Sequence, residues 1–430
     1  MRIVQLTPGT GGFHCGTCLR DHDLVDRLRR LGHEVEMVPL YLPFVTDGTD
    51  AAPGARVRMG AVRLWMRQRW PKLRAPPRWL ERRLDADWLL RWAAGRSGTT
   101  QPAELGDLTV SLLRGEEGCQ AGGLARLEEE LRAHRRADVV CLSNGLLVGL
   151  ARRLAAGLGA PVVCFLQGED RFLDALPEPF AAAAWRTLAE RARDVAAFVA
   201  ASAWYGGRMS ARLALPAERI HVVPNGIRTD DLVPAGDVPR PPVVGYLARM
   251  IPDKGLDRLA EAFVCLRKSG AVPEARLAIA GACTRADEPW VAGVKRGLEA
   301  AGLAASVEWR PNLSRAEKAA FLRGLTVLSV PARGDSFGRY VLEALACAVP
   351  VVLPRDGAFP ELLAATGGGI LCDPDDPEAL AGAIAGLLAD PARARELGRR
   401  GREAVLQRFG IERMARDVAA VLEAVAGAGR

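Results

Sequence analysis

Short apolar runs of strand length alternate with longer amphipathic stretches through most of this 430-residue chain, and that alternation limits its fold more than any other feature. "RIVQLTP" reads as a strand. "RDHDLVDRLRRLG" follows as a helix, with Leu24, Leu28 and Leu31 on one face and Gly32 as its stop. "HEVEMVPL", "ADVVCLS", "PVVCFLQ", "AAFVAAS" and "IHVVP" continue the strand series, with helical patterns between them. Strands joined by helices must run parallel, so the expectation is an α/β chain with doubly wound parallel sheets.

The pattern halts at "RTDDLVPAGDVPRPPVV", where four prolines and a glycine replace any periodicity, and this stretch reads as a linker. Beyond it the alternation resumes with "VVGYLAR", "ARLAIAG", "SVEWRP", "TVLSVPA", "VPVVLP" and "GGILCD". The reading is a first lobe over 1–232, a second over 240–408, and a terminal helix over 409–430 that can pack back on the first.

The charge is local. The chain carries +7 in total, but Arg56 to Arg96 holds twelve Lys/Arg against three Asp/Glu, a net of +9, which leaves the remainder at −2. That argues for one basic patch and against a general nucleic-acid surface. The patch belongs to an insertion at about 47–120 that holds Trp65, Trp70, Trp79, Trp88 and Trp92. Within it Leu80, Leu84, Trp88 and Trp92 recur every fourth residue, giving one apolar helix face flanked by arginines. Two readings stand: a helix packed on the lobe with solvated charges, or a surface for an anionic membrane or an anionic acceptor. Asp85 and Asp87 form an Asp-x-Asp pair, but inside a helical pattern, so no metal is assigned there.

No stretch reaches the roughly 18 apolar residues of a membrane span, and the first residues lack a long apolar core of a signal peptide. Nine cysteines, with Cys141 and Cys164 in strand-like apolar runs, fit free thiols in a reducing compartment. A cytoplasmic protein is expected, with the basic segment able to lie against the inner face of a membrane.

Chemistry-bearing residues concentrate in the second half. "GYLARMIPDKG" ends a strand in Arg249 and places Lys254 before a helix, two cations at a strand end where open parallel sheets bind ligands. They can clamp a diphosphate, Arg by its bidentate fork and Lys as a point charge, although such a pair in a loop is more often solvated surface. In "GDSFGRYVLEALACAVPVV", Asp335 precedes a helix reached through Ser336, Phe337 and Gly338, and Glu343 follows about two turns into it. That helix N-terminus is a ready anion site. Taken alone, Asp335 is equally a helix-start charge and Glu343 a solvated helix residue.

These motifs, with the opening "GTGG…LRRLGHEVEMV", "VVPNGI" and "DGAFPELL…DPDDPEALAGAIAGLLADP", resemble the family-4 glycosyltransferases of the GT-B fold over most of the chain. The resemblance implies two Rossmann-like lobes facing a cleft, and a retaining, metal-independent hexosyltransferase of glycan biosynthesis with no cofactor beyond its nucleotide-sugar donor. The acceptor would be a glycan, a lipid or a small molecule. It implies that Arg249 and Lys254 contact the donor diphosphate and that Glu343 binds the ribose. Asp335 would meet the donor-sugar hydroxyls, and Gly11 and Gly12 would form the first-lobe glycine loop. Asp335 replaces the usual first Glu of a Glu-x7-Glu pair, and Gln167 stands where many relatives carry His. Gln167 is read as a donor-sugar contact, with Glu169, Asp170 and His14 as further sugar or acceptor contacts.

Cys15-x-x-Cys18, with His14 and His22 nearby, admits a zinc or redox reading. No second Cys pair completes it, so a glycine loop with incidental thiols is favoured, and no metal is expected. His33 reads as a corner residue between helix and strand. A non-catalytic nucleotide-sugar-binding protein and a sugar-nucleotide epimerase of the same fold stay open as alternatives.

Overall fold

The structure is a computed structural model that describes residues 1–9, 16–42, 45–46, 49–50, 57–60, 102–134, 136–236 and 239–428. The Trp/Arg-rich stretch 61–101 and residues 10–15, which include Gly11, Gly12, His14 and Cys15, lie outside the described residues.

All twelve apolar runs read as strands are strands. In the first unit β1 (Arg2–Thr7), β2 (Glu34–Pro39), β5 (Val139–Leu142), β6 (Val162–Leu166), β7 (Ala197–Ala200) and β8 (Ile220–Val222) form one parallel sheet. A separate two-stranded pair is made by β3 (Val45–Thr46) and β4 (Thr49–Asp50). In the second unit β9 (Val243–Leu247), β10 (Arg276–Gly281), β11 (Val307–Pro311), β12 (Val327–Ser329), β13 (Val351–Pro354) and β14 (Gly369–Cys372) form another parallel sheet. The central strands β5, β6, β7 and β13 are buried at every residue, as expected where helices cover both faces.

The strand orders locate the ligand crevices. The first sheet runs β2-β1-β5-β6-β7-β8, so its order reverses between β1 and β5. The second runs β11-β10-β9-β12-β13-β14, the Rossmann order, with its reversal between β9 and β12. At such a switch point the loops leaving the two carboxyl ends diverge to opposite faces and open a space between them.

The chain divides into two compact units, Met1–Pro224 with Met414–Arg430, and Asn225–Arg413. Within the second unit the two segments nearest the division pair with each other. Ile227 N–H donates to Phe409 O at 2.9 Å, and Ile411 N–H donates to Ile227 O at 3.1 Å. Gly226 of "VVPNGI" makes this possible, because a Cβ there would lie 2.7 Å from Ile411 Cα.

The first helix, Gly16–Arg30, differs from its sequence reading in two ways. Leu24 and Leu28 are buried, but Leu31 lies past the helix end and is 45% exposed. Arg20 and Asp21 are buried instead, as an ion pair at 2.5 Å. Arg20 stacks on Phe165 and donates to Ser143 O, and the Ser143 hydroxyl donates to Asp21. Cys141 and Cys164 are buried free thiols, and Cys18 packs inward with its Sγ 3.7 Å from Thr7 Oγ1. Among the described residues no helix is long and apolar enough to cross a membrane.

Candidate functional site

The switch point of the second sheet carries the acids and cations singled out from the sequence. After β9 the chain makes a tight turn at Pro252–Lys254 and enters the helix Leu256–Lys268 through Gly255, at φ +68°. A side chain at Gly255 would collide with the carbonyl oxygen of Pro331 in the loop after β12. The two loops are tied there: Arg333 N–H donates to Asp253 O at 3.2 Å, and Arg258 Nε donates to Pro331 O at 3.0 Å. This close approach sets Lys254 Nζ 2.6 Å from Asp335 Oδ2.

Asp335 is held on every side. Its Oδ2 also accepts the Tyr340 hydroxyl at 2.7 Å, and its Oδ1 accepts Phe337 N–H at 3.1 Å. The loop after β13 braces its backbone. Ala358 N–H donates to Asp335 O at 2.9 Å, and Asp356 accepts Gly334 N–H at 2.9 Å and Gly357 N–H at 2.7 Å. Gly357, at φ +62°, packs so closely that a Cβ would lie 2.7 Å from both Asp335 N and Asp335 O. Burial alone would raise the Asp335 carboxyl. The Lys254 ammonium, and then the hydrogen bonds from Lys254, Tyr340 and Phe337, outweigh it and hold the group below its ordinary value.

The helix Arg339–Ala346 starts at Gly338, φ +85°, where no side chain caps the terminus, so the dipole end faces the loop that holds Asp335. Its buried face carries Val341, Leu342, Leu345 and Ala346 as expected, but Glu343 is also buried, not solvated. Lys318 Nζ bonds Glu343 Oε1 at 2.7 Å, and Arg339 Nε lies 3.6 Å from the same oxygen. Burial would raise this carboxyl too; Lys318 and Arg339 overcome it, so Glu343 stays charged. Arg249 leans on Asp287, Nη2 to Oδ1 at 3.4 Å, while Asp287 Oδ2 accepts Thr284 N–H at 3.0 Å and Thr284 O–H at 2.7 Å. The Arg249 side chain remains 36% exposed.

In the first unit Gln167, Glu169 and Asp170 follow β6. Glu169 is consumed locally. Oε1 accepts Gly145 N–H at 2.6 Å, and Oε2 accepts Gln167 N–H at 2.9 Å, Gly168 N–H at 3.0 Å and the Tyr205 hydroxyl at 2.9 Å. It thereby fastens the loop after β5 to the loop after β6. Asp170 is fully buried and bonded to Arg208 Nε at 2.6 Å. Gln167, half-buried, is the most accessible of the three.

Tyr340, Lys318, Arg339, Asp287, Asp356 and Gly357 were not singled out from the sequence. Lys318, Tyr340 and Asp287 meet Glu343, Asp335 and Arg249 from other elements, and Arg339 lies four residues before Glu343 in a pattern that reads as an ordinary helix pair. Asp356 and Gly357 open "DGAFPELL", an acid and a glycine that mark a turn.

Residues 230–404 match the family model described as glycosyl transferases group 1, and residues 107–231 match that of glycosyltransferase family 4. A D-inositol 3-phosphate glycosyltransferase of Segniliparus rotundus is 32% identical over 205 residues, 45% of each chain. A GDP-mannose-dependent alpha-(1-6)-phosphatidylinositol monomannoside mannosyltransferase of Mycolicibacterium smegmatis is 31% identical over 281 residues, 61% of this chain and 69% of that one. The sucrose-phosphate synthase of Thermosynechococcus elongatus shares the fold, with a TM-score of 0.74 at 18% identity over 100% of both chains. Two doubly wound α/β units of this kind make the GT-B fold, and the chain belongs to the family-4 glycosyltransferases.

Proposed function

We propose that the protein is a retaining glycosyltransferase that moves a hexose from a nucleotide-sugar donor to an acceptor hydroxyl. The observation that carries this reading is the placement of Lys254, Asp335 and an uncapped helix start at one switch point of a Rossmann-ordered sheet. The donor diphosphate lies against Arg249 and Lys254, the ribose at Glu343, and the sugar hydroxyls beside Asp335.

In the reaction the bond from the anomeric carbon to the diphosphate oxygen breaks, and the acceptor oxygen bonds to that carbon on the same face. The acceptor proton passes to the departing diphosphate oxygen. Negative charge grows on the diphosphate as the bond lengthens, and preorganised cations and helix N–H groups stabilise it without reorganising. One such donor contributes about 3 kcal/mol. Asp335 and Glu343, both held in their charged form, orient hydroxyl groups by accepting their hydrogen bonds.

The relatives' names suggest where to begin: GDP-mannose as donor, with inositol phosphate or a phosphatidylinositol mannoside as acceptor. The test is a binding panel of GDP, UDP and ADP and their hexose conjugates on the full chain, followed by transfer assays with the donor that binds. One nucleotide should stabilise the fold by about 2.7 kcal/mol at a hundred times its dissociation constant. Binding without transfer to any acceptor would favour a non-catalytic binding protein. Isomerisation of the donor would favour an epimerase.

A further inference from the structure

Asp335 has one partner to which neither the sequence pattern nor the family resemblance gives a role. Two hydrogen-bond donors converge on its Oδ2, Lys254 Nζ at 2.6 Å and the Tyr340 hydroxyl at 2.7 Å, while Phe337 N–H occupies Oδ1 at 3.1 Å. A carboxylate offers about four acceptor positions, so about one is left for a ligand, on Oδ1.

The two Oδ2 partners differ in kind. Lys254 is a point charge on a flexible stem, 28% exposed, and a donor diphosphate competes for it. Tyr340 is a stiff ring in the first turn of the helix Arg339–Ala346, and its hydroxyl cannot follow the phosphate. It also stays a donor: burial, and then the charge of Asp335, push it well above its ordinary range. An aspartate is one methylene shorter than the glutamate common at this position, so its remaining lone pair must be aimed rather than extended.

The geometry points to Tyr340 as a positioning residue that holds the donor-sugar acid oriented when Lys254 turns to the diphosphate, and so sets the preference for the sugar. This rests on the donor reading above.

The experiment compares nucleoside diphosphate with its sugar conjugate (GDP with GDP-mannose, UDP with UDP-glucose) by calorimetry on the full chain. Wild type is set beside Tyr340→Phe, Asp335→Asn and the double variant, each checked for folding by circular dichroism and melting. In Tyr340→Phe the conjugate should weaken about tenfold, the scale of one hydrogen bond to a charged group, and the bare diphosphate less than twofold. Tyr340→His, too short to reach Oδ2, is the second variant and should show the same selective loss. In the Asp335→Asn background, Tyr340→Phe should add nothing, because its effect runs through the acid.

The acid-side fall in conjugate binding should also move to higher pH in Tyr340→Phe. That hydrogen bond helps hold Asp335 down, while Lys254, Tyr246 and Asp356 around it are unchanged. Equal weakening of diphosphate and conjugate, no change in either, or the same loss with Asp335→Asn would overturn the assignment. Wild type that binds none of these nucleotides would overturn the donor reading and this assignment together.

Discussion

The Lys254 ammonium lies 2.6 Å from Oδ2 of Asp335, a residue 81 positions further along the chain and on the other side of the switch point of the second sheet. Each group neutralises the other. Lys254→Ala therefore removes a diphosphate contact and strands a buried carboxylate. The expected result is a fall in kcat/KM of roughly a hundredfold or more, read by steady-state transfer with the donor that wild type accepts. Unchanged kcat/KM would place the diphosphate elsewhere.

The same pair predicts a pH dependence of stability. Asp335 and Glu343 are both depressed in the folded protein. A carboxyl whose folded pKa is lowered adds stability that is fully present above its unfolded value, about 4, and is lost as pH falls through the folded value. Melting temperature should thus drop below about pH 4 through these two groups. Lys254→Ala should begin that loss at higher pH, since burial then acts on Asp335 with less opposition. Parallel melting curves for the two proteins from neutral to acid pH would refute the link.

Gly255 is where the two ligand loops meet. Alanine there faces a left-handed backbone at φ +68° and the Pro331 carbonyl. Gly255→Ala should lower stability by about 1–3 kcal/mol and weaken donor binding, because Lys254 next to it is displaced. Chemical denaturation and calorimetry read the two effects. A stable variant with full donor affinity would show that the loop contact is not what places Lys254.

Glu343 sits between Lys318 and Arg339 with its charge intact. If it accepts from the ribose, wild type should bind a nucleoside diphosphate more tightly than its deoxyribose analogue. Glu343→Gln should narrow that gap to about twofold from about tenfold, by loss of a charge-assisted hydrogen bond. An undiminished gap would remove Glu343 from the ribose site.

The strands were legible because a parallel sheet covered on both faces leaves short runs such as "ADVVCLS" and "PVVCFLQ" with almost nothing but apolar residues. The glycine turns were legible because their meaning is local, whereas the Arg/Lys and Asp/Glu pairs keep ordinary readings, as solvated surface and helix charges, that no short segment removes. Leu31 was misplaced for a related reason. The periodicity ran one residue past the helix: Leu31 N–H still donates to Arg27 O at 3.0 Å, but the chain turns there into Gly32 at φ +90°, and the Leu31 side chain is exposed.

The burial of Arg20, Asp21, Glu169 and Glu343 was not legible. A charged residue in a helical pattern reads as solvated until its partners are known, and each of these four has a partner 24 to 123 residues away. The sequence by itself determined the α/β class and the twelve strands, since each follows from hydrophobic period along a short stretch. Only the tertiary structure decided that β9 and β12 lie side by side, that Lys254 and Asp335 meet there, and that Tyr340 shares the acid with Lys254. Strand order is fixed by how whole helices pack across a sheet, and that is a property of the folded chain which no short segment carries.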